Sequence, residues 1–407
     1  MLQPQSWLPE GGQNLFQAIK AMCAEAEAKG IKLWKLTIGQ PSGPAAFSAR
    51  QSAALVALSD READHEYQDN GSPFNPEFAR RFVLAHLPAH AQKAASQLAF
   101  LPIPGIKPML GLVPLACGAY LPDWRLKVGA MTKPGYPTPA DWCHYLNVEH
   151  YALNINPGNQ FRFRPGWLGH QGDIEGGTRL LMANFPHNPT GQIATQEYWR
   201  EVCNFCAKNG IRLFNDAAYA FLTFTPEACT LAEVASGFPD LSWAEAFSAS
   251  KLILNGTGWR VGAIVGSPDF VGDIATIKGN TDSGLVPFAA AGVLAALEND
   301  RGDLEDRRAL YKIRLEILYQ ILQDNGLRPA VKPQATFFSL WLKPRIGFGQ
   351  GVLNSRDFNQ MMIAQAGIAG VHFVPDYIRY AVAGAPLEEP SWQEALNAGF
   401  RLAQVLY

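Results

Sequence analysis

Short apolar segments alternate with longer stretches of helical periodicity through the middle of the chain. Four of these segments are predicted as buried strands that end in polar residues: 179–185, 211–216, 243–250 and 261–266. The stretch 196–209 between two of them is predicted as a helix. Such alternation predicts an α/β domain with a mainly parallel sheet flanked by helices.

Polar side chains stand where these predicted strands end. Ligands of open α/β sheets bind beyond the carboxyl ends of the strands. The candidate site residues at these ends are therefore Asn188, Asp216, Tyr219, Ser248 and Lys251.

The pattern changes after about residue 290. Residues 289–326 read as one long helical tract, followed by a strand at 336–342, a helix at 355–367 and a strand at 377–383. These elements predict a smaller α+β domain, on which the first 40 residues pack. A chain of 407 residues is long for one core. We place a large domain at 45–294 and a small domain at 1–44 and 295–407.

Composition and charge narrow the functional classes. Hydrophobic residues make up 48% and charged residues 17%, and the net charge is -2. These values are typical of an ordinary globular protein, and no basic stripe indicates a nucleic-acid partner. The chain shows neither a signal peptide nor a membrane span, so a cytoplasmic protein is expected. Cys203 and Cys206 form a CxxC motif within the predicted helix 196–209, where packing is expected and no metal site.

The segment around Lys251 carries the most specific chemistry. Ser248 and Ser250 precede this lysine, and a glycine-rich stretch containing Arg260 follows it. Phosphate sites are formed by hydroxyl groups, by arginine side chains and by backbone amides that neighbouring glycines leave accessible. A lysine beside such a site can form a Schiff base with a phosphorylated aldehyde cofactor, whereas a lysine alone is usually a solvated surface residue.

Further residues suit a pyridine-ring cofactor. Asp216 could keep the ring nitrogen protonated, and the alternative is a helix N-cap. Asn188 and Tyr219 could hydrogen-bond the phenolic oxygen of the cofactor, and Tyr136 could stack on the ring. Ordinary turn and loop roles remain the alternatives for Asn188 and Tyr136.

The motifs NPTG at 188–191, DxAY at 216–219, SxSK at 248–251 and GWRxG at 258–262 occur in this order. Together they resemble the class I/II aminotransferases of pyridoxal-phosphate fold type I. The resemblance implies a seven-stranded sheet, pyridoxal 5'-phosphate bound to Lys251, and amino transfer from an α-amino acid to a 2-oxo acid. It also implies a homodimer.

Weaker matches extend the resemblance along the chain. They assign Gly39 to a substrate loop, and Gly105, Ile106 and Lys107 to a turn that cups the phosphate. Tyr67 would reach the phosphate in the other subunit, which would make the dimer obligatory for activity. Arg379 would bind the substrate α-carboxylate through bidentate hydrogen bonds. Glutamate and 2-oxoglutarate are expected as one substrate pair.

The sequence departs from the family in two places. Nine positions separate Lys251 from Arg260, where eight are usual, which puts an extra residue in the loop 252–256. A proline–glycine loop that usually precedes the carboxylate arginine is missing before Arg379.

The segment 280–284, NTDSG, resembles LL-diaminopimelate aminotransferases and related branches that use alanine or aspartate. Its alternative role is a helix cap near a dimer interface. A C–S lyase or condensing enzyme on the same scaffold, and a non-catalytic ligand sensor, remain the rival functions.

Overall fold

The computed structural model describes residues 15–68, 74–94, 97–121, 125–170 and 177–407. The helices are α1 (Leu15–Ala28), α2 (Phe47–Ala57), α3 (Phe74–Leu84), α4 (Ala89–Ala94), α5 (Ile106–Ala116), α6 (Thr138–Tyr145), α7 (Pro165–His170), α8 (Gln196–Lys208), α9 (Leu231–Ala235), α10 (Pro268–Lys278), α11 (Pro287–Asn299), α12 (Arg301–Asp324), α13 (Ser355–Met361) and α14 (Pro390–Leu402). The strands are β1 (Trp34–Lys35), β2 (Ala99–Ile103), β3 (Lys127–Ala130), β4 (Glu149–Ala152), β5 (Thr178–Ala183), β6 (Arg212–Asp216), β7 (Trp243–Ser248), β8 (Gly262–Gly266), β9 (Pro329–Val331), β10 (Phe338–Leu342), β11 (Ile346–Gly347), β12 (Gln350–Gly351), β13 (Ile368–Ala369), β14 (Val371–Phe373) and β15 (Tyr377–Ala381).

A seven-stranded sheet forms the centre of the molecule, in the order β2-β8-β7-β6-β5-β3-β4. The pairs from β7 to β4 are all parallel. Strand β8 runs antiparallel to both of its neighbours, β2 and β7. The predicted mainly parallel sheet is therefore confirmed, with β8 as the strand that reverses direction.

Apolar cores on both faces of the sheet explain why its strands are such continuous hydrophobic runs. One core packs the sheet against α5 and α10. The other packs it against α8, α9 and α11. Helix α8 begins at the N-cap Thr195, whose hydroxyl accepts from the backbone N–H of Tyr198 at 3.2 Å. Cys203 and Cys206 point from α8 into this core and are fully buried.

A second, antiparallel sheet follows in the order β14-β15-β10-β9. Helices α12, α13 and α14 pack in this part of the molecule. The N-terminal strand β1 pairs in parallel with β13, so that Trp34 lies opposite Ile368. Both ends of the chain thus contribute to the region around the second sheet. The division at residues 45 and 294 stays a prediction.

The predicted helical tract 289–326 is helical in the structure, but it consists of two helices. The helices α11 and α12 meet at Asp300. The Asp300 carboxylate accepts from the backbone N–H and the hydroxyl of Ser48, both at 2.9 Å. This contact with the start of α2 holds Asp300 where the two helices join. The predicted helix at 355–367 is also divided, because α13 continues into a π-helical turn at Met362–Ala366.

Within the described ranges, no helix has both the length and the apolar character needed to cross a bilayer. Nor does the described part of the chain place three or more His, Cys, Asp or Glu side chains together as metal ligands.

Candidate active site

A cavity of about 860 Å³ opens where β5, β6 and β7 end, between the central sheet and β15. Twelve of the residues predicted from the sequence line it: Gly39, Ile106, Lys107, Tyr136, Asn188, Asp216, Tyr219, Ser248, Ser250, Lys251, Arg260 and Arg379. Gly105 lies against Arg260 at its edge. Tyr67 does not line the cavity.

Lys251 and Asp216 face this cavity from the ends of neighbouring strands. Lys251 Nζ lies 5.1 Å from the centre of the Tyr219 ring. Burial lowers the pKa of Lys251 to about 8, with Asp216 opposing the shift and Arg260 adding to it. Burial also raises the pKa of Asp216 to about 6, although the N–H of Ala218 and the charge of Lys251 favour the carboxylate. The lysine can therefore supply a neutral amine near neutral pH.

Arg379 lies almost fully buried on β15 and is held by two hydrogen bonds. Its Nη1 donates to Asn188 Oδ1 at 3.0 Å, and its Nη2 donates to the carbonyl of Thr37 at 3.1 Å. Its Cζ lies 4.1 Å from the centre of the Phe338 ring. Burial lowers the pKa of Arg379 to about 10.

The Nε of Arg379 has no hydrogen-bond partner among the described residues. A buried guanidinium with an unused N–H is costly until an acceptor binds it. This arrangement suits a carboxylate ligand, which can accept from a guanidinium at two points.

Asn184 connects these groups, although it was not among the residues predicted for the site. Its Nδ2 donates to the backbone carbonyl of Asp216 at 2.8 Å. Its Oδ1 accepts from the backbone N–H of Asn188 at 3.0 Å. The available signal was its position directly after an apolar strand, four residues before Asn188.

Six other lining residues come from the N-terminal segment: Phe16, Ile19, Lys20, Thr37, Ile38 and Gln40. Thr37, Ile38 and Gln40 lie beside Gly39 in the expected substrate loop 36–41, whereas Phe16, Ile19 and Lys20 carry no comparable signal in the sequence. The Phe16 ring lies 5.5 Å from Arg379 Cζ and 6.2 Å from the ring of Tyr136. Phe16 and Lys20 are four residues apart on α1 and therefore share one face of the helix.

An anion pocket forms between the start of α5 and Arg260. Arg260 donates from Nη2 to the carbonyl of Pro104 at 3.1 Å and from Nη1 to that of Thr257 at 2.9 Å. Gly105, with φ of 80°, precedes the first turn of α5, and a Cβ there would stand 2.4 Å from Arg260 Nη2. A glycine is thus required where the helix N-terminus and the guanidinium approach each other.

Two serines at the end of β7 add hydroxyls to this pocket. Ser248 Oγ accepts from the backbone N–H of Ser250 at 3.1 Å, and both residues are buried. Hydroxyls, a guanidinium and a helix N-terminus are the groups that bind phosphate.

The loop 252–256, where an extra residue relative to the family was expected, binds to the segment before α2. The backbone N–H of Ala46 donates to the carbonyl of Ile253 at 3.1 Å, and Asn255 Nδ2 donates to the carbonyl of Gly43 at 2.9 Å. Leu254 has a φ of 61°, the left-handed conformation that such a tight loop needs. Arg260, which follows this loop, lines the cavity.

Tyr67 lies outside the cavity and is 80% exposed. It borders a separate groove together with Ser283 and Val286. Asp282, in the NTDSG segment, pairs with Lys278 Nζ at 2.6 Å and accepts from the N–H of Gly284 at 2.9 Å. Within a single subunit, the segment 280–284 therefore caps the carboxyl end of α10, which is the alternative role predicted from the sequence.

The fold and the cavity define a class of enzyme. A lysine of lowered pKa, a buried aspartate and an anion pocket meet at the carboxyl ends of a mainly parallel sheet. These features are typical of an enzyme that binds a phosphorylated cofactor through its lysine.

Comparisons with known proteins identify the family. The model of aminotransferase class I and II matches residues 131–391, and the chain belongs to this family. LL-diaminopimelate aminotransferase of Syntrophobacter fumaroxidans is 27% identical over 374 residues, covering 87% of this chain and 86% of that protein. The enzyme of the same name from Methanococcus maripaludis is also 27% identical, covering 88% of this chain and 82% of its own. Aspartate aminotransferase from Rhizobium meliloti has the same fold, with a TM-score of 0.82, 18% identity and 99% of both chains covered.

The protein is therefore a transaminase that uses pyridoxal phosphate. The cavity fits this cofactor on three counts. The anion pocket at Gly105 and Arg260 suits its phosphate, Asp216 supplies a buried acid for its ring nitrogen, and Lys251 supplies an amine for its aldehyde.

Proposed function

We propose that this transaminase uses glutamate and 2-oxoglutarate as one substrate pair and a second amino acid that also carries two carboxylates. The supporting observation is the charge of the cavity. Among the described lining residues there is one acid, Asp216, and five cations: Lys20, Lys107, Lys251, Arg260 and Arg379. The curated relatives are named LL-diaminopimelate aminotransferases, and diaminopimelate is a dicarboxylate.

In this proposal, Lys251 binds the cofactor covalently and later moves the proton from the substrate Cα. Pyridoxal phosphate, when bound, supplies a pyridine ring that stabilises negative charge at that carbon. Asp216 keeps the ring nitrogen protonated. Asn188 and Tyr219 hydrogen-bond the phenolic oxygen, and Tyr136 stacks on the ring.

The phosphate is assigned to the anion pocket. Its proposed ligands are the residues of the α5 turn and the end of β7: Gly105, Ile106, Lys107, Ser248, Ser250 and Arg260. Four of these six offer hydroxyl or cationic groups, and the start of α5 adds backbone N–H groups. Two negative charges of a phosphate would offset part of the positive charge of the cavity.

The substrate α-carboxylate is assigned to Arg379, beside Gly39. The unused Nε–H of Arg379 supports this role, because a carboxylate would satisfy it. A Cβ at Gly39 would stand 3.7 Å from Arg379 Nη2, so this glycine keeps the approach to the guanidinium open. Fixing the carboxylate aims the Cα–H of the substrate toward Lys251.

Lys20 is our candidate for the second carboxylate of the substrate. It lies on the same face of α1 as Phe16, whose ring contacts Arg379. The cofactor aldehyde accounts for Lys251, its phosphate for Lys107 and Arg260, and the substrate α-carboxylate for Arg379, which leaves Lys20 for a distal anion. Its exposure allows a flexible stem to reach a substrate of variable length.

We further propose that the protein is a homodimer. Large apolar side chains are exposed on the side of the molecule that carries Tyr67: Leu55, Leu58, Val286 and Phe288. Helices α2 and α11, which carry or border these residues, pack against each other. Several exposed apolar side chains on two packed helices are what a protein interface would cover. Tyr67 would contact the phosphate bound by the partner subunit.

A screen of amino donors with 2-oxoglutarate as acceptor tests the substrate proposal. We expect glutamate formation from dicarboxylic donors, and preferential use of monocarboxylic donors would contradict it. The assignment of Lys251 has its own test. The Lys251→Ala protein should lose the covalent cofactor that borohydride reduction traps, and trapping in that variant would disprove the assignment.

A further inference from the structure

Glu245 is a fully buried carboxylate on β7, on the face of the sheet opposite Ser248 and the cavity. Its Oε1 accepts from Asn215 Nδ2 at 2.7 Å and from the backbone N–H of Leu231 at 3.1 Å. Its Oε2 accepts from the N–H of Ala232 at 2.8 Å. Among the described residues, no lysine or arginine forms an ion pair with it. Burying a carboxylate that is bound only by N–H groups costs folding free energy. The residues that bind it therefore indicate what the carboxylate does for the structure.

Asn215, the neighbour of Glu245 on β6, holds the backbone that follows β5. Its Oδ1 accepts from the N–H of Phe185 at 2.9 Å, and its Nδ2 donates to the carbonyl of Phe185 at 3.1 Å. The same Nδ2 donates to Glu245. The N–H and C=O of Phe185 thus bind the two ends of the Asn215 amide, and Glu245 accepts from the second N–H of Nδ2 and holds the amide in this position.

Phe185 stands between the two asparagines that reach the cavity. Asn184 precedes it and accepts from the N–H of Asn188 at 3.0 Å. Asn188 in turn accepts from Arg379 Nη1 at 3.0 Å. A continuous path of hydrogen bonds and short backbone links thus joins Glu245, behind the sheet, to the guanidinium in front of it.

We propose that Glu245 is a positioning residue for substrate binding, acting through Asn215 and Phe185 on the loop that orients Asn188 and Arg379. The inference rests on the proposed role of Arg379 as the ligand of the substrate carboxylate. Sub-ångström displacement of a bidentate ligand weakens its hydrogen bonds steeply, so the effect should appear in carboxylate binding.

The experiment compares three variants as cofactor-loaded proteins. Glu245→Met removes both oxygens at similar volume. Glu245→Gln keeps an oxygen that can accept from Asn215, but its amide would face the N–H of Ala232. Thr230→Ala is the matched control, because Thr230 caps α9 beside Glu245 without contacting Asn215.

The readouts are the Kd of maleate, a carboxylate that cannot be transaminated, the KM for the amino donor, and the Kd of the cofactor. We expect Glu245→Met to weaken maleate binding about 10-fold and to raise KM similarly, while the Kd of the cofactor changes less than about 2-fold. Glu245→Gln and Thr230→Ala should bind maleate within about 2-fold of the parent protein.

Unchanged maleate binding in Glu245→Met would overturn the proposal. So would an equal loss in Thr230→Ala, which would trace the effect to α9, or an equal loss in Glu245→Gln. If Glu245→Met does not fold, Asn215→Ser, which breaks the same path at the next residue, is judged by the same criterion. If the parent protein binds no maleate, the proposed preference for dicarboxylates fails by itself, and the variants are then compared by the KM of the donor that the protein does use.

Discussion

Substitution of Gly105 tests how closely the anion pocket is built around one glycine. In Gly105→Ala, the new Cβ would stand 2.4 Å from Arg260 Nη2 and 3.0 Å from its Cζ. The guanidinium must retreat by about 1 Å to reach an ordinary contact distance. Its hydrogen bond to the carbonyl of Pro104, now 3.1 Å long, would then be lost or distorted.

Two costs follow from this change. The backbone at Gly105, with φ of 80° and ψ of 164°, lies in a region that only glycine adopts readily, which costs about 1–3 kcal/mol of folding stability. Displacement of Arg260 removes a charged hydrogen bond to phosphate, worth about 1.5–3 kcal/mol. The second cost corresponds to a cofactor Kd weakened by about 10- to 100-fold.

The assay is titration of the apoprotein with pyridoxal phosphate, followed by the absorbance of the bound cofactor, together with thermal unfolding. Gly30→Ala is the matched control, because Gly30 has a φ of 82° and nothing within 4 Å of its added Cβ. It should lose stability and keep cofactor affinity. If Gly105→Ala binds the cofactor as tightly as Gly30→Ala does, the close packing of Arg260 on Gly105 is not what forms the phosphate site.

Three further predictions follow from the charges and surfaces of the site. Burial raises the pKa of Asp216 from 3.8 to about 6. The folded protein therefore binds this proton more tightly than the unfolded chain does. The resulting stabilisation is fully present below pH 4 and is lost as the pH rises through 6. In urea unfolding at pH 8, the Asp216→Asn apoprotein should therefore be more stable than the parent by about 1–3 kcal/mol. Near pH 3.5 the two proteins should be equally stable. Equal stability at pH 8 would contradict the assigned burial of Asp216. With Lys20→Gln, the KM for the acceptor 2-oxoglutarate should rise about 5-fold while the KM for pyruvate stays nearly unchanged, and a parallel rise in both would exclude a distal-carboxylate role. Co-expression of Tyr67→Ala with Lys251→Ala should restore activity through hybrid dimers, because one site then combines an intact lysine with the partner's Tyr67; no recovery would show that Tyr67 does not act across the interface.

The sequence predicted β5, β6, β7 and β8 as apolar runs because these strands are buried on both faces, but it did not single out β2, β3 and β4. It could not give the direction of β8, since an apolar run reads the same in either orientation. The division of 289–326 at Asp300 was hidden for another reason. Asp300 bonds Ser48, more than 250 positions away in the chain, and helical periodicity reports only local preference.

The predicted site residues are those whose motifs combine a strand end with a chemically distinctive side chain, such as Lys251 and Asp216. Asn184 was missed because it acts through amide contacts with the backbone that leave no composition signal. Glu245 was missed for a related reason. A charged residue within an apolar strand is visible in the sequence, but its partners lie on other elements.

The attachment of the loop 252–256 to the segment before α2 limits how the cavity can move. Leu254 pairs with Ala45, and Asn255 holds the carbonyl of Gly43, so the chain from 43 to 46 is fastened to the loop beside Lys251. Thr37 and Gly39 lie just before this fastened part. Any swing of that stretch over a bound substrate must therefore pivot at or before Gly43, whose open surroundings and φ of 82° suit a hinge. Lys251, beside the fastened loop, would stay in place during such a movement.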